Sequence, residues 1–397
     1  MRSDPPAGRV PLTLVLILGA LSAFAPLSLD MYLPGLPQLG RDLGASASAA
    51  QLTLTSCLAG LALGQVIAGP LSDRFGRRSP VLAGVALYVV ASVLCALAPS
   101  VALLLPLRFV QGLAGAAGIV ISRAVVRDLT TGEAAARLFA ALMVVNGAAP
   151  ILAPVIGGQL LGFTTWRTIF LVLAGVGAAL LVAAAAGLPE SLPAQRRRPA
   201  GLGPMAAALR EVARDRGFVA HALAGGLVLG AMFAYIAGSP FVLQGIYGLS
   251  PQAFSAVFAA NGLGIVLASM LTGRLVRRLA VAAILRIGIA ASIAGSAVVL
   301  AGVLAPAFGV APVLVGLFLV VASVGLVVPT TTTLALADHG AVAGSASALL
   351  GVLQYLLGAL TAPLVGAAGA GTALPMAVLM LGLSAGAAAV LRLRRSG

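Results

Sequence analysis

The strongest constraint on this chain is a series of long apolar runs, each followed after a few polar residues by the next. A membrane-spanning helix needs about 20 predominantly apolar residues. The first run begins after the polar residues 1–10 and continues past Asp30 to about Leu36. Others fall near 48–72, 79–98, 102–125, 136–161 and 166–187. Beyond a polar stretch come six more, near 217–244, 251–274, 280–304, 309–336, 341–366 and 373–391. Inside a bilayer each backbone polar group must be satisfied without water, so these runs are predicted to be helices. Ala23-Phe24-Ala25 imitates a leader cleavage site, but Pro26 follows directly and the run goes on. The segment is therefore read as a retained first span.

Composition excludes several function classes. With 60% hydrophobic and 9% charged residues, the chain is not a soluble globule. Its net charge of +14 suggests nucleic acid at first sight. The arginines, however, are scattered between apolar runs and form no single basic face, so no nucleic-acid partner is expected. All 24 basic residues are arginine, which reads as compositional bias without mechanistic weight. Cys57 and Cys95 fall inside spans, and His221 and His339 lie far apart near span ends. That gives no metal-ligand spacing and no disulfide framework. No nucleotide-binding loop, zinc motif or nucleophile elbow is present, so neither an enzyme nor a bound cofactor is expected.

Arginine placement predicts orientation. One set of loops carries Arg74, Arg77, Arg78, Arg127, Arg137, Arg196 to Arg198, Arg210, Arg214, Arg216, Arg274, Arg277 and Arg278, and the tail adds Arg392, Arg394 and Arg395. The opposite loops hold only Arg41 and Arg167. By the positive-inside rule both termini are cytoplasmic. The polar stretch 188–216 divides the spans six and six. In it Leu202, Met205, Leu209 and Val212 recur at helical spacing behind Gly203-Pro204, which predicts a short amphipathic helix on the inner surface. Arg196 to Arg198 are placed to meet anionic lipid, or to be simply solvated.

Between the second and third runs the chain reads Gly69-Pro70-Leu71-Ser72-Asp73-Arg74-Phe75-Gly76-Arg77-Arg78. Here glycines permit a tight turn, and Asp73 can satisfy a helix end or pair with an arginine fork. The ten residues resemble the major facilitator superfamily signature G-x-L-x-D-R-x-G-R-R/K at every fixed position. That resemblance implies a loop coupling the two halves during alternating access, with Gly69, Asp73, Arg74, Gly76, Arg77 and Arg78 as its parts. Gly273-Arg274-Leu275-Val276-Arg277-Arg278 echoes it 204 residues later (273 − 69), without the aspartate or the later glycine. The superfamily's build implies twelve transmembrane helices in two pseudo-symmetric six-helix bundles, an all-α integral membrane fold with substrate held between them. The expected limits are 1–190 and 217–397, with 191–216 as a cytoplasmic linker.

Asp30 is the one acid among ten well inside an apolar run. A charge at membrane depth costs at least ~2.5–3.5 kcal/mol and marks a functional site by default. It is a candidate to take up and release a proton; an aspartate at the outer interface is the alternative. The surrounding Leu29-Asp30-Met31-Tyr32-Leu33-Pro34-Gly35-Leu36-Pro37, and Gly344 to Leu349, resemble the bicyclomycin/chloramphenicol-resistance subfamily of drug:proton antiporters. Arg108-Phe109-Val110-Gln111-Gly112 is similar to the family's R-x-x-Q-G pattern, whose arginine is implicated in proton coupling. Counted from their span ends, Arg108 and Asp30 lie at one level, and pairing would relieve part of each burial cost. Gln111 shares the face of Arg108.

The fifth run carries Asn146, Gly147, Pro150, Pro154, Gly157 and Gly158. It is similar to the superfamily's exporter motif, although Ala153 stands where a glycine is usual and the first glycine is displaced. Prolines bend a membrane helix and glycines allow close packing, which suits a pliable seam. Phe24, Tyr32, Asn146, Met232, Phe233, Tyr235, Phe241 and Asn261 are candidates to line a cavity, with packing as the plainer reading. The resemblance implies proton-driven efflux of amphiphilic or lipophilic compounds, such as phenicol-like antibiotics, across a bacterial inner membrane. The proton motive force would supply the energy, the partners would be substrate, protons and lipid, and a monomer is expected. A proton-coupled metabolite exporter or symporter, or a non-transporting receptor, are the alternatives.

Overall fold

The computed structural model describes residues 11–130, 132–197, 210, 212–337, 343–366, 369 and 371–396. Its long elements are helices. The first span divides into α1 (Leu12–Ser22), α2 (Phe24–Asp30), a 3-10 turn over Leu33–Gly35 and α3 (Leu36–Asp42). There follow α4 (Ala47–Phe75), α5 (Arg78–Leu97), α6 (Val101–Leu129), α7 (Gly132–Leu160) and α8 (Trp166–Gly187). The later helices are α9 (Arg216–Ser239), α10 (Pro251–Leu275), α11 (Val281–Leu304), α12 (Ala311–Leu336), α13 (Ala343–Gly366) and α14 (Leu374–Ser396). Among the described residues eleven segments are long and apolar enough to cross a membrane. In α7 the apolar stretch found is the shorter Gly147–Leu160.

Polar caps mark several helix starts. The Ser46 hydroxyl accepts from Ala49 N at 3.2 Å, Ser250 from Ala253 N at 3.1 Å, and the Asp215 carboxylate from Gly217 N at 2.6 Å. Each satisfies one of the orphan donors of a first turn.

Two spans differ from the straight helices expected. Pro26 and Pro34 lack an N–H and crowd the carbonyl four residues back, so the first span breaks around Ala23 and again beyond Asp30. It also runs on to Asp42, six residues past the expected end at Leu36. In the seventh span Pro240 ends α9, and the chain continues as a π-helical turn over Pro240–Ile246. The expected amphipathic helix near 202–212 lies mostly outside the described residues, as does His339.

Helices α4, α5, α6 and α8 pack on one another, and so do α9 and α11 to α14. The two groups meet where α4 crosses α13 and α7 crosses α10. One apolar core, including Tyr32, Leu54, Trp166, Phe170, Tyr235, Phe254 and Met376, is shared by both groups. A second, around Leu18, Phe24, Tyr88 and Ile121, belongs to the first group, and a third, around Val228, Leu285 and Val327, to the second. The shared core lies toward the helix ends remote from Arg74, Arg77 and Arg78, called here the far ends.

Candidate functional site

Glycines set the position of α6. A side chain at Gly60 of α4 would collide with the Phe109 carbonyl, and one at Gly112 of α6 with the Cys57 carbonyl. The two backbones therefore touch, and Arg108 enters the interior of the first group, fully buried.

Arg108 does not pair with Asp30. Its Nη1 donates to Gln111 Oε1, and its Nη2 donates to the Ser28 carbonyl at 2.9 Å. Gln111 Nε2 donates in turn to Ser92 Oγ at 2.8 Å. The guanidinium lies 4.3 Å from the Tyr32 ring centroid and 5.4 Å from that of Phe170, so two aromatic faces carry part of its charge. Its Nε is buried without a hydrogen-bond partner. The shared level of Asp30 and Arg108 did not fix their direction, because the broken first span turns the Asp30 side chain elsewhere. Ser28 and Ser92 are participants that nothing in the sequence marked.

Asp30 is 8% exposed, and no hydrogen bond or ion pair reaches its carboxyl among the described residues. Its sequence neighbours Met31 and Tyr32 share an apolar core with Tyr235 of α9, in the other helix group. Tyr235 accepts a hydrogen bond from Asn261 Nδ2 at 3.0 Å and stacks on Phe258 with centroids 5.5 Å apart. The amide of Asn261 is thus engaged within its own group, and the side chain of Asn146 lies outside the described residues.

The aromatic candidates separate. Phe24 stacks on Tyr88 with centroids 4.4 Å apart, inside the core of the first group. Tyr32 is fully buried under Arg108, with its hydroxyl 3.1 Å from Thr53 Oγ1. Phe233 packs against Gly358 of α13, while Met232 and Phe241 are half-buried.

The signature stretch is less of a loop than its glycines suggested. Gly69 to Phe75 form the last turns of α4, and a side chain at Gly69 would meet only Val120 at 3.9 Å. The turn itself is Gly76-Arg77. Gly76 has φ 88°, and a side chain there would run into the Glu190 carboxylate. That position requires glycine for both reasons. Arg77 donates from Nη1 to Asp73 Oδ1 at 2.6 Å and to Ser72 Oγ at 2.7 Å, and from Nε to Asp128 Oδ2 at 2.8 Å. Glu190 accepts from the backbone N–H of Arg77 at 2.8 Å, of Leu192 at 3.0 Å and of Arg78 at 3.2 Å. Partial burial pushes the Glu190 carboxyl up, but these N–H donors and Arg197 outweigh it and hold the carboxyl below its ordinary value. Arg78 donates to the Ala185 carbonyl, and Arg74 lies over the exposed Phe75 ring at 5.0 Å.

The fifth-span glycines touch both groups. A side chain at Gly157 would strike the Met31 carbonyl beside Asp30, and one at Gly158 would strike Ser255 of α10. Pro150 and Pro154 stand inside α7, and Gly147 has open space around it. Four hydrogen bonds that join the two groups lie toward the far ends. Gln51 Nε2 donates to the Ala237 carbonyl at 3.0 Å, Thr55 Oγ1 to Ala359 at 3.1 Å, Gln244 Nε2 to Pro34 at 3.1 Å and Gln252 Nε2 to Gly158 at 3.1 Å. Gln51 and Thr55, polar and four apart on an apolar run, were a legible signal that was missed.

Residues 18–363 match the model of the Major Facilitator Superfamily. The chain is 43% identical over 377 residues to an uncharacterized MFS-type transporter, YdgK, of Bacillus subtilis, covering 94% of this chain and 93% of that protein. It is 31% identical over 368 residues to a bicyclomycin resistance protein homolog of Haemophilus influenzae, covering 92% of each. With a chloramphenicol resistance protein of Pseudomonas aeruginosa it shares 31% identity over 373 residues, 93% of this chain and 88% of that one. A match of that extent, on a helical membrane fold carrying the complete signature turn, makes this chain a member of the major facilitator superfamily, akin to its bicyclomycin- and chloramphenicol-resistance transporters.

Proposed function

We propose that the protein exports amphiphilic or lipophilic small molecules across the bacterial inner membrane in exchange for protons. In this reading twelve spans form two six-helix bundles, 1–190 and 217–397, joined by the cytoplasmic linker 191–216. Both termini are cytoplasmic and the protein works as a monomer. With four hydrogen bonds holding the groups together toward the far ends, this reading takes the arrangement as a transporter closed to the outside.

The observation that carries this reading is the state of Asp30. Arg108 is satisfied by Gln111, Ser28 and two rings, so Asp30 is not tied up as its counter-ion. A carboxyl without a partner at this depth is stable when it holds a proton or meets a cation from outside. It can exchange either without breaking a structural bond, as a coupling group must. A sugar site would call for indole and amide groups at the centre. The one tryptophan, Trp166, is instead buried near the far end and donates from Nε1 to Asp42 at 3.0 Å.

The test is proton release from purified protein in weak buffer on adding a lipophilic cation or a phenicol. Wild type is expected to release protons, and Asp30→Asn to release none while still binding a neutral compound. Equal release from both would remove Asp30 from the mechanism and leave proton coupling without a carrier.

A further inference from the structure

From Arg216 to Gly397 the sequence holds eight arginines and a single acid, Asp338. Arg286 stands apart from the rest of that set. Arg274 in the last turn of α10, and Arg277 and Arg278 in the turn that follows, lie at the helix end, where the positive-inside rule suffices for them. Arg286 is instead five residues inside α11, about 7.5 Å along the helix axis from Val281. Its Nε donates to the Ala282 carbonyl of its own helix at 3.3 Å. No carboxylate among the described residues comes within ion-pair reach of it.

Arg286 stands at the rim of a cavity of about 720 Å³ between α9, α11 and α14. Leu285, Ile289, Ile293 and Leu391 give the cavity apolar walls, and Arg392 is the other cation on its lining. Helix α11 packs on α12 and α14, on the side of its group turned away from the first six spans. The cavity is therefore separate from the seam that holds Asp30. An apolar slot at membrane depth with guanidinium groups at its arginine-bearing end matches an amphiphile with an acidic head. Guanidinium groups are suited to phosphate because their N–H forks meet its oxygens in pairs. The volume is that of a specific small-molecule pocket.

We propose that this cavity binds one anionic phospholipid of the surrounding leaflet. Its phosphate lies against Arg286 and Arg392, and its acyl chains run between α11 and α14. The site is independent of whatever the protein transports.

The full-length protein in a neutral detergent, titrated with dioleoylphosphatidylglycerol or dioleoylphosphatidylcholine and read by native mass spectrometry, tests this. One phosphatidylglycerol is expected to bind more tightly than phosphatidylcholine. Arg286→Gln is expected to weaken it about fivefold, the share of one guanidinium near an anionic lipid surface. Ala290→Trp fills the cavity from an exposed position without changing charge and is expected to weaken it as well. Arg277→Gln, on the exposed turn, is expected to leave binding unchanged. Equal affinity for the two lipids, or unaltered phosphatidylglycerol binding in both cavity variants, would overturn the site. So would a loss in Arg277→Gln as large as in Arg286→Gln, which would mean a diffuse basic surface. Displacement of the lipid by glycerol 3-phosphate at comparable concentration would make it a soluble-anion site and equally end the proposal.

Discussion

Two turns of this molecule share a sequence pattern and differ in what surrounds them. At Gly69–Arg78 one cation, Arg77, is paired with acids. Arg77 sits between Asp73, Ser72 and Asp128, and Glu190 closes over the backbone of Arg77 and Arg78. At Gly273–Arg278 the three arginines are exposed, and no ion pair reaches them among the described residues. Gly76 is shaped by its neighbours, whereas a side chain at Gly273 would meet nothing within 4 Å. A repeat can therefore preserve a connector while building a device into only one copy. The acids make that device, and two of its carboxylates come from outside the signature.

The sharpest way to break the contrast is at its glycines. Gly76→Val is expected to destabilise the protein by about 3 kcal/mol, combining backbone strain with the loss of Glu190 contacts, and to stop transport. Gly273→Val is expected to stay within about 0.5 kcal/mol of wild type. Thermal unfolding in detergent measures both, and equal shifts would erase the difference between the turns. A smaller effect is expected at the ion pairs. Asp128→Asn removes a charge-assisted bond to a mostly buried guanidinium, worth about 2 kcal/mol, whereas Arg277→Gln removes none. A double-mutant cycle of Asp128 with Arg77 should give a coupling of that size, and independence of the two would show the pair to be ornamental.

The smallest effect concerns acid. Glu190 is held below its ordinary 4.5 in the folded protein, so its contribution is complete above that value. It is lost as pH falls through the lower native value. Wild type is expected to exceed Glu190→Gln in stability at neutral pH, with the gap closing below 4.5. A gap unchanged into strong acid would mean that shape, not charge, holds Glu190 in place.

The helices were legible because an apolar run of this length has few other uses. The run at 166–187 coincides with Trp166–Gly187, and that at 48–72 falls within Ala47–Phe75. What escaped was whatever depended on direction or distance. Counting residues placed Asp30 and Arg108 at one level, but the count assumed a straight first helix. The breaks around Pro26 and Pro34 made that assumption fail. Glu190 lies 114 residues beyond Gly76 (190 − 76), in a polar segment without periodicity, so no local pattern could tie it to the signature turn.

Gly157 and Gly158 are neighbours in sequence, yet one lies against the first span at Met31 and the other against α10 at Ser255. Of these two contacts only the one at Ser255 crosses between the groups; the one at Met31 stays inside the first. One peptide unit of α7 is thus a hinge pin, fixed to one leaf and merely resting on the other. If the far ends part, the pin keeps its hold on the first span, and the joint opens at a single glycine.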